Sequence, residues 1–351
     1  MTETATQRRA PRNEEELENL LTEPTPETVE AVSRLEGDLL ILGAGGKMGP
    51  SLAVLAKRSI EAAGGRHRVI CVSRFSSPGI AKKLDDAGIE TIACELLHRD
   101  ELQRLPDAPN ILYLAGMKFG ATGSPELTWA LNCYLPAIVA ERFRTSRIVA
   151  LSTGNVYPLI APSSGGATEE TRPSPIGEYA QSCLGRERLL QHMSLSNKTP
   201  VLIVRLNYAT DLRYGVLLDI AERVRRGEPV DLSMPWLNVI WQGDANAVLL
   251  RAFGLASVPA HILNLTGADI SSVREIAERF AVRFELPPPN FASSGPDSEV
   301  ALLSDASRCH ALFGPPRVST KTLIEWVATW VEDELPTLGK PTHFETRDGN
   351  F

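Results

Sequence analysis

Leu39-Leu40-Ile41-Leu42-Gly43-Ala44-Gly45-Gly46-Lys47-Met48-Gly49 leads from four apolar residues, through a glycine-rich turn, into a stretch of helical periodicity over 48–62. A turn this tight needs residues that tolerate positive φ. Only glycine lets backbone N–H groups come close to a pyrophosphate seated on a helix N-terminus. The spacing GxxGxxG between a strand and a helix therefore points to a bound dinucleotide on Gly43, Gly45, Gly46, Lys47, Met48 and Gly49. The alternative is a glycine-rich turn with no ligand.

Outward from that turn the pattern repeats. Short runs rich in β-branched residues (38–42, 68–73, 91–94, 110–114, 147–151, 201–205) alternate with amphipathic stretches at 48–62, 78–87, 126–143 and 179–192. This is the rhythm of a Rossmann-like, doubly wound parallel sheet in an α/β protein, with helices on both faces. After Arg205 it loosens. Helices are expected at 215–226, 243–254, 271–284 and 319–333, with short strands near 229–233, 238–241, 261–265 and 300–303. The expected organisation is an acidic helical leader (1–37), a nucleotide-binding domain (38–205), a smaller substrate lobe interleaved with the last sheet strands (206–333) and a C-terminal tail (334–351). In the leader, Asn13 and Thr25 or Pro26 are placed to open two short helices, which dock on the body or float beside it. Loops at 163–166 and 287–296 are long enough to form rims or lids.

Composition narrows the class. The chain has 351 residues, 43% hydrophobic and 23% charged, with a net charge of −7. That is a globular chain able to bury a large core. No apolar run approaches the roughly 20 residues of a membrane span, and the N-terminus lacks a signal-peptide core. A cytoplasmic protein is expected. Five scattered cysteines carry no metal-ligand spacing, so no metal site is expected. The acidic balance argues against nucleic acid. Residues 1–37 hold nine Glu and four Arg, so the leader supplies −5 of the −7.

At the end of the second strand, where an NAD site places an acid on the ribose, the residues are Ser73 and Arg74. A hydroxyl followed by a guanidinium accepts a 2′-phosphate that a carboxylate would repel. NADP(H) is favoured, with NAD(H) as the alternative. Further on, Cys94-Glu95-Leu96 is similar to an acid-Leu pair near adenine. Leu114-Ala115-Gly116-Met117-Lys118 is similar to the AGLK segment of UDP-galactose 4-epimerase, whose lysine lies beside the cofactor phosphates. Ser152 to Tyr157, Tyr179, Arg205-Leu206-Asn207-Tyr208 and the stretch 239–244 follow in order. Across about residues 38–333 the chain resembles the extended short-chain dehydrogenase/reductases, the NAD(P)-dependent epimerase/dehydratase group.

That resemblance implies that Thr153 binds the reacting oxygen and Tyr179 is the acid/base. It makes Asn132 a structural residue, and it implies that Glu95, Leu96, Leu114, Ala115, Gly116, Lys118, Cys183 and Asn207 lie along the cofactor. Asn155 and Gln242 become candidate substrate contacts, although Asp244 beside Gln242 reads equally as a helix cap. It also implies a homodimer through the helices at 126–143 and 179–192. Two departures stand out. The family's YxxxK lysine, which holds the ribose and lowers the tyrosine pKa, is replaced by Cys183. A phenol near its reference value of about 10 is only about one part in a thousand ionised at pH 7, so proton donation by neutral Tyr179 suffers less than base-initiated oxidation. Position 237, where family members acting on nucleotide-diphosphate sugars carry arginine, is leucine. No arginine lies between Arg283 and Arg308. The expectation is an enzyme acting on a small sugar-like or polyol-derived substrate that is not a nucleotide-diphosphate sugar. The alternative is a catalytically impaired NADP(H)-binding regulator. The loop's GxxGxMG form also occurs in unrelated reductases such as dihydrodipicolinate reductase, but the motifs from Leu114 onward speak against that reading.

Overall fold

The structure, a computed structural model, describes residues 9–350 except 119, 122 and 293–299. Its centre is a parallel sheet of seven strands: β1 (Leu39–Leu42), β2 (Val69–Ser73), β3 (Glu90–Ala93), β4 (Asn110–Tyr113), β5 (Arg147–Thr153), β6 (Val201–Leu206) and β10 (His261–Leu265). Two-residue ladders pair β7 (Ala209–Thr210) with β9 (Ile240–Trp241), and β8 (Trp236–Leu237) with β11 (Ser271–Ser272). The large sheet runs β10-β6-β5-β4-β1-β2-β3, with Leu42 level with both Val72 and Tyr113. All four residues of β1 are buried because successive side chains enter opposite cores. Leu39 and Ile41 pack with α2 (Pro26–Ser33), α3 (Gly49–Ala62) and α10 (Gln242–Arg251). Leu40 and Leu42 pack with α5 (Arg99–Arg104), α7 (Leu135–Arg142) and α8 (Gly177–Asn197). The third core is the lobe, where α9 (Val216–Arg225), α11 (Val273–Arg283) and α13 (Thr320–Glu332) surround Leu237 and Trp241.

The leader helices dock. Asn13 Oδ1 accepts from Glu16 N at 2.8 Å and opens α1 (Glu14–Leu21), whose Leu17 and Leu21 enter the lobe core. Thr25 caps α2, and Arg58 Nη1 donates to Thr22 Oγ1 at 2.7 Å. α4 (Ile80–Asp86) and α12 (Ser307–Phe313) complete the layer that holds α3.

Four expectations need correction. The helix read over 126–143 is broken into α6 (Pro125–Trp129), a π-helical turn (Ala130–Tyr134) and α7. The strands read at 229–233 and 300–303 are extended segments with single bridges, Val230 to Phe291 and Ala301 to Ile160. Val230, Leu232 and 301–303 are buried, but neither segment finds a ladder partner. The C-terminal segment is no loose tail: Phe344 is buried in the lobe core, and Arg347 Nη1 donates to Ser233 O at 2.7 Å and Val300 O at 3.0 Å. Part of the rim read at 287–296 lies outside the described residues.

Candidate active site

The strand order reverses between β1 and β4, and in such sheets the loops leaving the two strands part to form a crevice at their carboxyl ends. Leu114 N donates to Leu42 O at 2.8 Å, which holds the two loops side by side. Gly43 has φ +87°, and a Cβ there would lie 2.6 Å from Ala115 N, so no other residue fits. Gly46 is different. A Cβ there would meet only Gly43 O, at 3.4 Å, and the space beyond is the crevice.

Two joined compartments lie over this turn. The larger, about 330 Å³, is lined by Lys47, Met48, Gly49, Lys118, Thr153, Asn155, Tyr179, Asn207 and Gln242, among others. The smaller, about 240 Å³, is lined by Gly45, Ser73, Arg74, Glu95, Leu96 and Ala115. Gly43, Gly46, Leu114 and Gly116 border both. An open cradle at Gly46 with a compartment on either side fits a dinucleotide, its pyrophosphate over the turn and a nucleoside at each end.

Every candidate residue from the sequence faces one of these compartments except Cys183. It is buried beside Val156, Tyr157 and Ala167, outside the crevice lining. Its side chain is too short to reach where a lysine would, and burial pushes its thiol pKa up, so it stays neutral. Gln242 borders the crevice, but its Nε2 is engaged by Ser51 Oγ at 3.0 Å. Asn207 is likewise held, donating to Asn238 Oδ1 at 2.9 Å. Arg74 meets Glu95 at 3.6 Å and keeps 64% of its side chain exposed.

Tyr179 stands on the first turn of α8, opposite Thr153 at the end of β5. Burial pushes its phenol far above the ordinary value; the Arg186 charge and a hydrogen bond with Thr153 oppose that only in part. The group is therefore a neutral acid at any physiological pH. Thr153 Oγ1 also accepts from Asn155 N at 3.2 Å. A buried ion pair fixes this corner: Arg205 Nη2 donates to Glu187 Oε2 at 2.6 Å, and Ser152 Oγ donates to Glu187 Oε1 at 2.6 Å.

Lys47 and Lys118 bring two cations into the larger compartment. Lys47 Nζ lies 2.9 Å from the Tyr214 ring centroid, and Lys118 Nζ lies 5.9 Å from that of Tyr179. Burial, with repulsion from Lys118 and Lys340, lowers Lys47 to about 7, and burial lowers Lys118 to about 8. Sequence reasoning missed Tyr214, Arg186 and Thr342 as crevice residues. For Arg186 a signal existed, since positions 179, 183 and 186 share one helix face. Thr342 had none: it arrives on the C-terminal segment, held by Asp219 through bonds to its N and Oγ1 at 2.8 and 2.5 Å.

Known proteins share this architecture. UDP-glucose 4-epimerase from Thermotoga maritima, solved with UDP-glucose, superposes with a TM-score of 0.67 at 16% identity, covering 85% of this chain and 99% of its own. The dTDP-glucose 4,6-dehydratase of Bacillus anthracis, solved with NAD, gives 0.70 at 14% identity, covering 85% and 97%. UDP-glucuronic acid 4-epimerase from Bacillus cereus, also with NAD, gives 0.68 at 14%, covering 85% and 99%. No curated protein sequence matches the chain. The sequence model of the NAD dependent epimerase/dehydratase family matches residues 39–230, more than half of its length. On that match, and with the sheet order and crevice just described, the chain belongs to the NAD-dependent epimerase/dehydratase family.

Proposed function

We propose that this chain is a nicotinamide-dependent enzyme that reduces, epimerises or dehydrates a small sugar-like or polyol-derived substrate. The observation that carries the reading is the meeting of Tyr179 and Thr153 in the compartment that adjoins the glycine turn. The nicotinamide group would supply hydride exchange with the substrate carbon. Thr153 would hold the reacting oxygen, and Tyr179, kept neutral by burial, would give it a proton. Ser73 and Arg74 at the far end favour NADP(H) over NAD(H), because Arg74 is exposed enough to turn toward a 2′-phosphate. The division at residue 205 into a cofactor-binding and a substrate-binding part belongs to the same reading.

A nucleotide-diphosphate sugar is disfavoured. Leu237, at the position of the family's arginine, is fully buried in the lobe core and cannot hold a phosphate. The related epimerases and dehydratases that take such sugars therefore do not transfer their substrate to this chain. We also assign a homodimer through α6, the π-helical turn, α7 and α8, where Leu127, Trp129, Tyr134 and Leu195 are exposed. A cytoplasmic location accords with five cysteines that are all free thiols and with no helix, among the described residues, long and apolar enough to cross a membrane. Neutral Cys183 and the high Tyr179 pKa favour one rival, a binding-only regulator.

Fluorescence titration with NADPH and NADH tests the cofactor reading. NADPH is expected to bind more tightly, and Arg74→Ala to erase the difference. Equal affinities untouched by that change would overturn the NADP assignment. Tyr179→Phe is expected to keep cofactor affinity and lower turnover on a responsive sugar or polyol by about 10²–10⁴-fold. Full turnover in that variant would remove Tyr179 from the chemistry.

A further inference from the structure

One face of α8 carries Tyr179, Cys183 and Arg186 at positions i, i+4 and i+7, and of these Tyr179 and Arg186 border the crevice. The charge that the family pattern places at i+4 is missing there, because Cys183 is a neutral buried thiol. Arg186, one turn farther on, is only 6% exposed, yet it borders the larger compartment.

Its surroundings are unusual for a buried cation. Nη1 donates to Leu151 O at 2.7 Å, Nη2 to Asn132 Oδ1 at 2.9 Å and Nε to Asn132 O at 3.3 Å. All three acceptors are uncharged, and no carboxylate lies within ion-pair distance of Arg186 among the described residues. Its neighbour Glu187 is taken by Arg205. Of the five guanidinium N–H groups, those three bonds leave two over. A buried charge held only by these dipoles and the Tyr113 ring, whose centroid lies 5.7 Å from Cζ, is costly, and the crevice is where a ligand could offset it.

The chain is shaped to keep the guanidinium there. A Cβ on Gly116 would come within 2.4 Å of Nη2, so the loop after β4 leaves room for it. Asn132, in the π-helical turn, grips that loop from the other side, accepting from Met117 N at 2.8 Å and donating to Met117 O at 2.7 Å. Side chains on a helix lean toward its N-terminus. A long arginine at 186 thus reaches back to the level of Cys183.

Resting on the cofactor reading above, we propose that Arg186 replaces the displaced lysine, gripping the nicotinamide ribose from one turn farther along α8. Arg186 also sets the local field, opposing the rise that burial imposes on both Tyr179 and Cys183.

The test is titration of NADH and NADPH by fluorescence into the full chain, comparing wild type, Arg186→Met, Cys183→Lys and the double variant, with thermal melts to verify folding. Arg186→Met is expected to weaken binding of both cofactors at least tenfold. The double variant, with the cation returned to i+4, is expected to recover to within a few-fold of wild type. Cys183→Lys alone is expected to bring no gain, since the charge is already present. Wild-type affinity in Arg186→Met, or no recovery in a folded double variant, would overturn the proposal and leave Arg186 a purely structural strut. Where Arg186→Met fails to fold, Cys183→Lys alone decides: tighter binding would mean that the cation was absent rather than relocated. A wild type that binds neither nucleotide would instead overturn the cofactor reading, and this inference with it.

Discussion

Two lysines in a half-dry crevice give the site a pH dependence of known sign. Lys47 at about 7 and Lys118 at about 8 are charged below those values and lose their charge as pH rises through them. An anionic dinucleotide is therefore held best in the lower window. NADPH affinity is expected to fall by about tenfold for each pKa unit by which binding raises either lysine. Titrations from pH 6.5 to 9 check this, and Lys47→Met should flatten the lower limb; a flat wild-type profile would contradict it. Single residues were unevenly legible in the sequence. Tyr179, Thr153 and the glycines announce themselves through motif order and backbone sterics. Arg186 shares the helix face of Tyr179, but a guanidinium at i+7 declares its purpose only once the uncharged acceptors around it are known. Cys183 misled for a related reason: a motif position fixes where a side chain starts and not how far it reaches.

At the scale of elements, the buried Arg205–Glu187 pair ties α8 to β6, and through Ser152 to the strand end that presents Thr153. Arg205 Nη1 also donates to the Tyr157 hydroxyl at 2.8 Å. Glu187→Ala would strand a fully buried guanidinium. A loss of about 3–5 kcal/mol in urea unfolding is expected, while a loss under about 1 kcal/mol would show that the pair is not what locks this corner. Periodicity found the sheet strands and the long helices because apolar spacing is a local property. It could not see the π-helical turn at Ala130–Tyr134, which adds a residue to one turn without changing composition, though that turn aims Asn132 at the loop after β4. It also over-read 229–233 and 300–303. Burial shows that a segment lies on a core, whereas a strand needs a neighbour to pair with.

For the whole molecule, the acidity of the leader acquires a local meaning. Arg213 Nη1 meets Glu18 at 2.7 Å and Glu14 at 3.7 Å, and Arg317 meets Glu23 at 3.8 Å, so leader carboxylates face arginines of the lobe. The C-terminal segment spans the lobe to the start of α8, where a Cβ on Gly177 would lie 2.6 Å from Gly349 O. Docking of the leader was one of the readings the sequence left open, and the surfaces that receive both segments are built by distant parts of the chain. The exposed apolar face of α6 and α8 should close in a dimer. Light scattering is expected to give twice the chain mass, and Leu127→Arg to shift it to monomer; a monomeric wild type would refute that assignment. The central claim is a dinucleotide laid across the turn at Gly46, and Gly46→Val tests it most directly by fluorescence titration with NADPH and NADH. Because a side chain there meets almost nothing but the crevice, the variant is expected to melt within a few degrees of wild type and to bind neither nucleotide. Undiminished binding in a folded Gly46→Val protein would contradict the account.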